Sequence, residues 1–475
     1  MSEREYDVIV IGAGAVGENI AERTVQGGMS TVIVEAELVG GECSYWACMP
    51  SKALLRSASA LRAAQDVDGA KQAIRGGLDI TGVLRRRDRI THDWDDASQV
   101  RWLKKTGIDL VRGHAEFTGV KRVRVTAEDG TVTDLIARHA VAVATGSVAL
   151  LPDIPGLREI EPWTSRDATS AQTIPASLAI LGGGVVGAEM ATAYAGFGTK
   201  VTLIVRSRLL PKLEPFAAEL VEASLRGLGV TVRAGVAVTA AHRTDRNAVL
   251  ALSDGGRVVA EQVLVAVGRT PRTGDLGLGS IGFSPGAWLA VDDTLLVKGT
   301  DWLYAVGDVN HRALLTHQGK YQARAAGDVI AVRAKGGPVD DVPWGAHVAT
   351  ADHDHIPQVT FTDPEIASVG LTEAAARAAG RRIRVLDYDL SWVAGASTYA
   401  DSYEGRARAI VDEDRGVLIG ATFAGANVAE LLHSATVAIV GEVPIDRLWH
   451  AVPSYPTLSE VWLRWLEEYG RPAPL

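Results

Sequence analysis

The stretch Asp7-Val8-Ile9-Val10-Ile11-Gly12-Ala13-Gly14-Ala15-Val16-Gly17 runs an unbroken apolar segment straight into a glycine-rich turn. An apolar run of this kind reads as a parallel strand buried on both faces. Gly-x-Gly-x-x-Gly directly behind it reads as a turn into a helix. The segment Thr31-Val32-Ile33-Val34, ending at Glu35, supplies the returning strand. Strand, glycine turn, helix and strand together form a dinucleotide-binding fingerprint, which a lone glycine motif does not. Within it Gly12 makes the tight turn, Gly14 lets the backbone approach a pyrophosphate, and Gly17 lets helix and strand pack closely. Backbone N–H groups at the helix N-terminus then hold the pyrophosphate. Glu35 accepts hydrogen bonds from a ribose diol, which suits an adenosine without a 2′-phosphate.

The pattern recurs. Leu178-Ala179-Ile180-Leu181 leads into Gly182-Gly183-Gly184-Val185-Val186-Gly187, with Gly182, Gly184 and Gly187 in the three glycine roles. The returning strand Val201 to Val205 ends at Arg206, with Arg208 and Lys212 close by. A cation in that place suits a 2′-phosphate, so NADPH is favoured over NADH. Two fingerprints imply two dinucleotides.

Composition restricts the remaining possibilities. A chain of 475 residues with a net charge of −9 has no Lys/Arg-rich run to meet nucleic acid. No apolar stretch reaches the roughly 18 residues needed to span a membrane. Met1 to Glu5 pass directly into the first strand without a secretory signal, which points to the cytoplasm. The chain has only 2 cysteines, Cys43 and Cys48, both within Gly40-Gly41-Glu42-Cys43-Ser44-Tyr45-Trp46-Ala47-Cys48-Met49-Pro50-Ser51-Lys52. In a cytosolic chain such a pair is more often catalytic than structural. In a continuous helix the axial rise between them would be about 7.5 Å, beyond the roughly 7 Å Cα separation of a disulfide. A bridge therefore requires a distorted helix start.

The segment Gly40–Lys52 matches the Gly-Gly-x-Cys-x4-Cys-x-Pro-Ser-Lys pattern of the pyridine nucleotide–disulfide oxidoreductases, and the resemblance extends over nearly the whole chain. It implies an α/β fold of two Rossmann-like domains plus a C-terminal α+β dimerisation domain. The expected limits are 1–155 with 281–345 for FAD, 156–280 for NAD(P)H and 346–475 for dimerisation. It also implies that Gly41 lies at the FAD site, that Cys48 is the charge-transfer thiol, and that Cys43 is the interchange thiol. Ala115 in Gly113-His114-Ala115 resembles the adenine contact, and Thr145 and Gly146 the crossing out of the FAD domain. Gly268 and Arg269 resemble the return crossing, and Gly307 and Asp308 the ribityl contact. His317 stands near the N-terminus of the helix facing the flavin edge. Lys52 is expected beside the flavin and paired with Glu189, because a buried cation needs a partner.

The C-terminal text departs from the family. Tyr455-Pro456-Thr457-Leu458-Ser459-Glu460 places tyrosine where disulfide reductases carry the histidine of a His–Glu catalytic pair that crosses the dimer. A phenol with pKa near 10 replaces an imidazole near 6.5, a loss of about 5 kcal/mol in basicity. Glu460 keeps its place without that partner, and His450 is the imidazole nearby in sequence. Tyr45 and Trp46 crowd the space between the cysteines. The cysteine pair by which mercuric reductases capture metal at their C-terminus is absent, and no metal site is expected. The implied activity is transfer of electrons from NADPH through FAD and Cys43–Cys48 to a disulfide or another small oxidant. The alternatives are a quinone or metal-ion reductase acting from the flavin, or a redox-sensing or complex-forming subunit. A homodimer is implied by the family's shared sites.

Overall fold

The computed structural model describes residues 2–471. It folds into two compact units, Met1–Pro50 with Arg87–Leu150 and Arg269–His353, and Ser51–Arg86 with Leu151–Gly268 and Asp354–Leu475.

The first unit is built on one sheet. Asp109–Arg112, Thr31–Glu35, Ser2–Ile11 and Val132–Val143 lie side by side in parallel, and Leu303–Ala305 joins Val132–Val143. Arg122–Thr126 and His114–Gly119 extend the sheet antiparallel. The apolar run Val8–Ile11 is at most 2% exposed, as a strand covered on both faces must be. The helix Ala15–Gln26 packs against the helix Thr316–Ala334. Glycine permits this: a Cβ at Gly319 would stand 2.6 Å from Val16 Cγ2. That close approach fixes Thr316, at the head of its helix, next to the first glycine turn. The short strands Ser147–Ala149 and Arg269–Pro271 pair antiparallel, so the outgoing and returning crossings of the chain lie together.

In the second unit, Thr231–Ala234, Lys200–Val205, Ser177–Leu181 and Gln262–Val265 form a parallel sheet. Val238–Thr244, Asn247–Leu252 and Arg257–Ala260 form an antiparallel sheet. Five antiparallel strands, in the order Gln358–Thr360, Glu365–Gly370, Val417–Gly425, Gly405–Asp412 and Ile383–Asp389, carry the C-terminal part. Gly405–Asp412 and Val417–Gly425 form a hairpin, followed by the helix Leu432–Val440. The α/β architecture with two glycine-turn sheets and a C-terminal α+β portion is the one expected. No helix among the described residues is long and apolar enough to cross a membrane.

Candidate active site

The first glycine turn opens onto a cavity. Its walls include Gly12, Gly14, Glu35, Gly41, Cys43, Ala115, Thr145, Gly146, Arg269, Gly307, Asp308 and Thr316. Gly12 adopts φ +99°, and a Cβ on it would stand 2.6 Å from Ala144 O. Gly17 lies behind the turn, where a Cβ would meet Gly12 O at 1.9 Å. Glu35 Oε2 accepts the Ala13 N–H at 2.7 Å and Oε1 the Glu37 N–H at 2.8 Å. Burial raises the Glu35 carboxyl, and the two backbone donors oppose that rise.

These residues fit an adenine dinucleotide such as FAD. The Thr145 hydroxyl is buried in the cavity wall with no partner among the described residues. Gly146 has open space where a Cβ would project. Both observations describe a cradle shaped for a ligand. A polar node closes the far side. Ser147 Oγ donates to Asp308 Oδ2 at 2.5 Å, and Arg269 donates to Ser147 Oγ and Ser147 O at 2.6 Å each. Gln322 Oε1 accepts the Gly307 N–H at 2.8 Å, while Gln322 Nε2 donates to the buried Asp352. Ser147, Thr316, Gln322 and Asp352 escape sequence reading because their roles arise from contacts 15 to 268 positions apart.

The cysteines stand on two separate helices. Gly41–Tyr45 ends before Trp46, and Cys48–Gln65 begins afresh. This break is the distortion that a bridge requires. Both cysteines are reduced thiols in this structure, and Cys48 Sγ lies 3.3 Å from Thr316 Oγ1. The contact with Cys48, followed by burial, pushes the Cys43 thiol well above its ordinary range. Cys48, the first residue of an 18-residue helix, is the member placed where negative charge is favoured.

Lys52 and Glu189 are not the two surface charges that their positions alone suggest. Lys52 Nζ donates to Glu189 Oε2 at 2.8 Å and lies 4.8 Å from the centre of the Phe361 ring. Glu189 is 4% exposed, and its Oε1 accepts the Phe361 N–H at 2.9 Å. His317 is exposed, the second residue of its helix, and does not line the cavity.

At the second turn Gly182 has φ +110°, with a Cβ 2.3 Å from Ala266 O, and a Cβ on Gly187 would reach Gly182 O at 2.0 Å. A Cβ on Gly184 would meet nothing within 4 Å. Gly268 (φ +151°) precedes the return crossing. Both arginines are exposed, and Arg208 donates to Pro211 O at 2.8 Å and Leu213 O at 3.0 Å.

Tyr455 is 78% exposed. Glu460 is 6% exposed and Oε2 accepts the Gly395 N–H at 3.3 Å, so its carboxylate serves its own backbone. His450 is exposed. Among the described residues no group of three or more His, Cys, Asp or Glu is arranged to hold a metal ion.

Comparison with known proteins agrees with this geometry. The family profile of the pyridine nucleotide-disulphide oxidoreductases matches residues 6–327, and that of their dimerisation domain matches residues 356–465. A dihydrolipoyl dehydrogenase from Chlorobaculum parvum is 33% identical over 471 residues, covering 97% of this chain and 96% of the relative. A mercuric reductase from Streptomyces lividans is 32% identical over 461 residues, covering 96% and 94%. Among solved structures, the Cu(II) complex of the HOCl-induced flavoprotein disulfide reductase RclA from Escherichia coli shares the fold with a TM-score of 0.84. The two are 22% identical, over 98% of this chain and 100% of that one. The chain belongs to the pyridine nucleotide-disulphide oxidoreductases, flavin-dependent enzymes that use NAD(P)H, and it carries their dimerisation domain.

Proposed function

We propose that this chain takes electrons from NADPH and delivers them, through the Cys43–Cys48 pair, to a disulfide or another small oxidant. The observation that carries this reading is the pair itself: Cys43 lies in the wall of the dinucleotide cavity, and Cys48 Sγ lies 3.3 Å from Thr316 Oγ1 in the same wall. Bound FAD would supply the two-electron relay between nicotinamide and cysteines. Gly12, Gly14, Glu35, Gly41, Ala115, Thr145, Gly146, Gly307 and Asp308 would hold it, and Arg269 would brace Asp308 through Ser147. Lys52, paired with Glu189, is assigned to the flavin edge together with His317. Gly182, Gly184, Gly187 and Arg206 would hold NADPH. Arg208, bound to backbone carbonyls, contributes by shaping the turn.

In the exchange step the Cys43 thiolate attacks one sulfur of an acceptor disulfide and releases the other as a thiol. Cys48 then attacks Cys43, releasing the second thiol and leaving the Cys43–Cys48 bridge. Two electrons and two protons reach the acceptor. The thiolate is the nucleophile, so this step needs a base to take the Cys43 proton. A histidine would meet that need in the relatives; Tyr455 and the engaged Glu460 do not supply an equivalent base.

That deficit favours a second reading, in which quinones or metal ions take electrons without thiol exchange. One relative, 32% identical, is a mercuric reductase, which is in keeping with a metal-ion acceptor. A redox-sensing subunit is the third reading. A two-fold homodimer, a cytoplasmic location and the limits 1–155 with 281–345, 156–280 and 346–475 complete the proposal.

The test is anaerobic titration of FAD-loaded protein with NADPH and NADH, followed by turnover with disulfides, quinones, Cu(II) and Hg(II). Disulfide turnover that disappears in Cys43→Ser supports the leading reading. Turnover of quinones or metals alone, unaffected by Cys43→Ser, replaces it with the second reading. Reduction without turnover of any oxidant leaves the sensor.

A further inference from the structure

Three consecutive residues, His92, Asp93 and Trp94, have φ of +52°, +51° and +58°. None is glycine, and a left-handed conformation costs an L-residue roughly 1–2 kcal/mol. Such a run persists only where the surroundings over-determine it. The surroundings here are specific. Thr91, fully buried, ties the turn back to the preceding helix by donating to Arg87 O at 3.2 Å and Asp88 O at 2.9 Å. Arg87, also fully buried, lies 5.3 Å from the centre of the Trp94 ring.

Held in this way, the Trp94 indole donates through Nε1 to the backbone carbonyl of Tyr45 at 3.2 Å. Tyr45 lies between the two cysteines and is the last residue of the helix that carries Cys43. In an unbroken helix that carbonyl would accept the N–H four residues on, at Met49. The indole takes that acceptor, and the chain breaks at Trp46–Ala47 before the next helix starts at Cys48. The same strap is gripped at its other end, where Asp96 Oδ2 accepts the Val39 N–H at 2.8 Å and Tyr45 OH donates to Val39 O at 3.2 Å.

We infer that the left-handed turn at 92–94 is a positioning clip for the redox pair, and that Trp94 is its working residue. By withdrawing the Tyr45 carbonyl from helical bonding, Trp94 keeps the Cys43 and Cys48 segments on separate helices and their sulfurs within bonding reach. The inference rests on the reading of Cys43–Cys48 as a redox disulfide. It adds a residue whose indole bonds the Tyr45 carbonyl and that belongs to no sequence motif recognised above.

The experiment measures bridge formation directly, without turnover. FAD-loaded protein is equilibrated anaerobically with mixtures of reduced and oxidised glutathione, quenched by alkylation, and its free thiols are counted by mass spectrometry. The reaction converts two cysteine thiols and one oxidised glutathione into the bridge and two reduced glutathiones. In Trp94→Phe, which keeps an aromatic ring but removes the N–H donor, the equilibrium constant should fall about tenfold, which is ~30 mV for a two-electron couple. FAD content and thermal midpoint report whether the fold is kept. If Trp94→Phe fails to fold, site-specific benzothienylalanine at position 94, isosteric with indole and lacking the N–H, replaces it. An equilibrium constant within twofold of wild type in the folded variant overturns the clip alone. Absence of any bridge in wild type at every glutathione ratio overturns both the clip and the redox reading beneath it.

Discussion

The two glycine turns share one motif but differ in what surrounds them. At the first, a Cβ on Gly14 would lie 3.9 Å from Gly41, and Gly41, at φ +62°, would place its own Cβ 2.7 Å from the Gly14 Cα. Glycine meets glycine there, and the loop that leads to Cys43 closes over the turn. At the second, the Cβ direction of Gly184 is open and the terminal cation, Arg206, is exposed. Glu35, the counterpart of Arg206, is buried and bonded to two backbone N–H groups. The same fingerprint therefore supports a walled site and an open one. A walled site suits a resident group; an open one suits a nucleotide that arrives and leaves at every turnover.

The sharpest way to break this comparison is at the cysteines, which belong to the walled site. Cys43→Ser should lower disulfide turnover by about 10³-fold or more, since the covalent step is removed. FAD content should be unchanged, by absorbance. Unchanged turnover would detach the redox pair from the first site altogether. Gly41→Ala comes next. It forces a side chain into the left-handed region against Gly14, so the fold and FAD retention should weaken together by about 1–3 kcal/mol in urea unfolding. Gly184→Ala should leave the unfolding midpoint within error and raise the KM for NADPH instead. Equal effects from the two alanines would erase the distinction between closed and open. Arg206→Glu should then shift the NADPH:NADH ratio of kcat/KM toward NADH by about tenfold, or ~1.4 kcal/mol. No shift would assign the preference to other groups.

An effect that appears only toward alkaline pH concerns Glu18, in the first turn of the helix behind Gly14. Burial, only partly offset by Lys320, pushes its carboxyl up to about 7, and its Oε1 has no partner among the described residues. The folded state therefore binds this proton more tightly than the unfolded chain does, so the contribution of Glu18 is complete below about pH 4.5 and is lost as pH rises through about 7. Glu18→Gln, neutral throughout, should raise the stability by about 1–3 kcal/mol at pH 8 relative to wild type. The gap should vanish near pH 4. A gap independent of pH would mean that packing, not ionisation, governs this position.

Most of the walled site is legible in sequence because its parts are local. Gly12, Gly14 and Gly17 sit within one turn, Glu35 ends the next strand, and Cys43 and Cys48 share one loop. The Lys52–Glu189 pair is legible only through family resemblance, as its members are 137 positions apart. Ser147, Thr316 and Trp94 carry no such signal. A serine opening a strand, a threonine opening a helix and a tryptophan in a turn are ordinary residues until the fold brings Asp308, Cys48 and Tyr45 to them. Arg208 shows the converse. Its position reads as phosphate recognition, but the turn bends its guanidinium onto two carbonyls.

The composition of the first cavity also orders events at the ribosome. Its wall begins at Ile11 and is not complete until Thr316, about two-thirds of the way along the 475-residue chain. A dinucleotide can stabilise only the state that binds it. The nascent chain must therefore carry Gly12–Gly17 and the cysteine loop unsupported through the synthesis of the whole second glycine turn. Cells short of flavin would release this chain with Cys43 and Cys48 made and its cradle empty, which is when chaperones and proteases would compete for it.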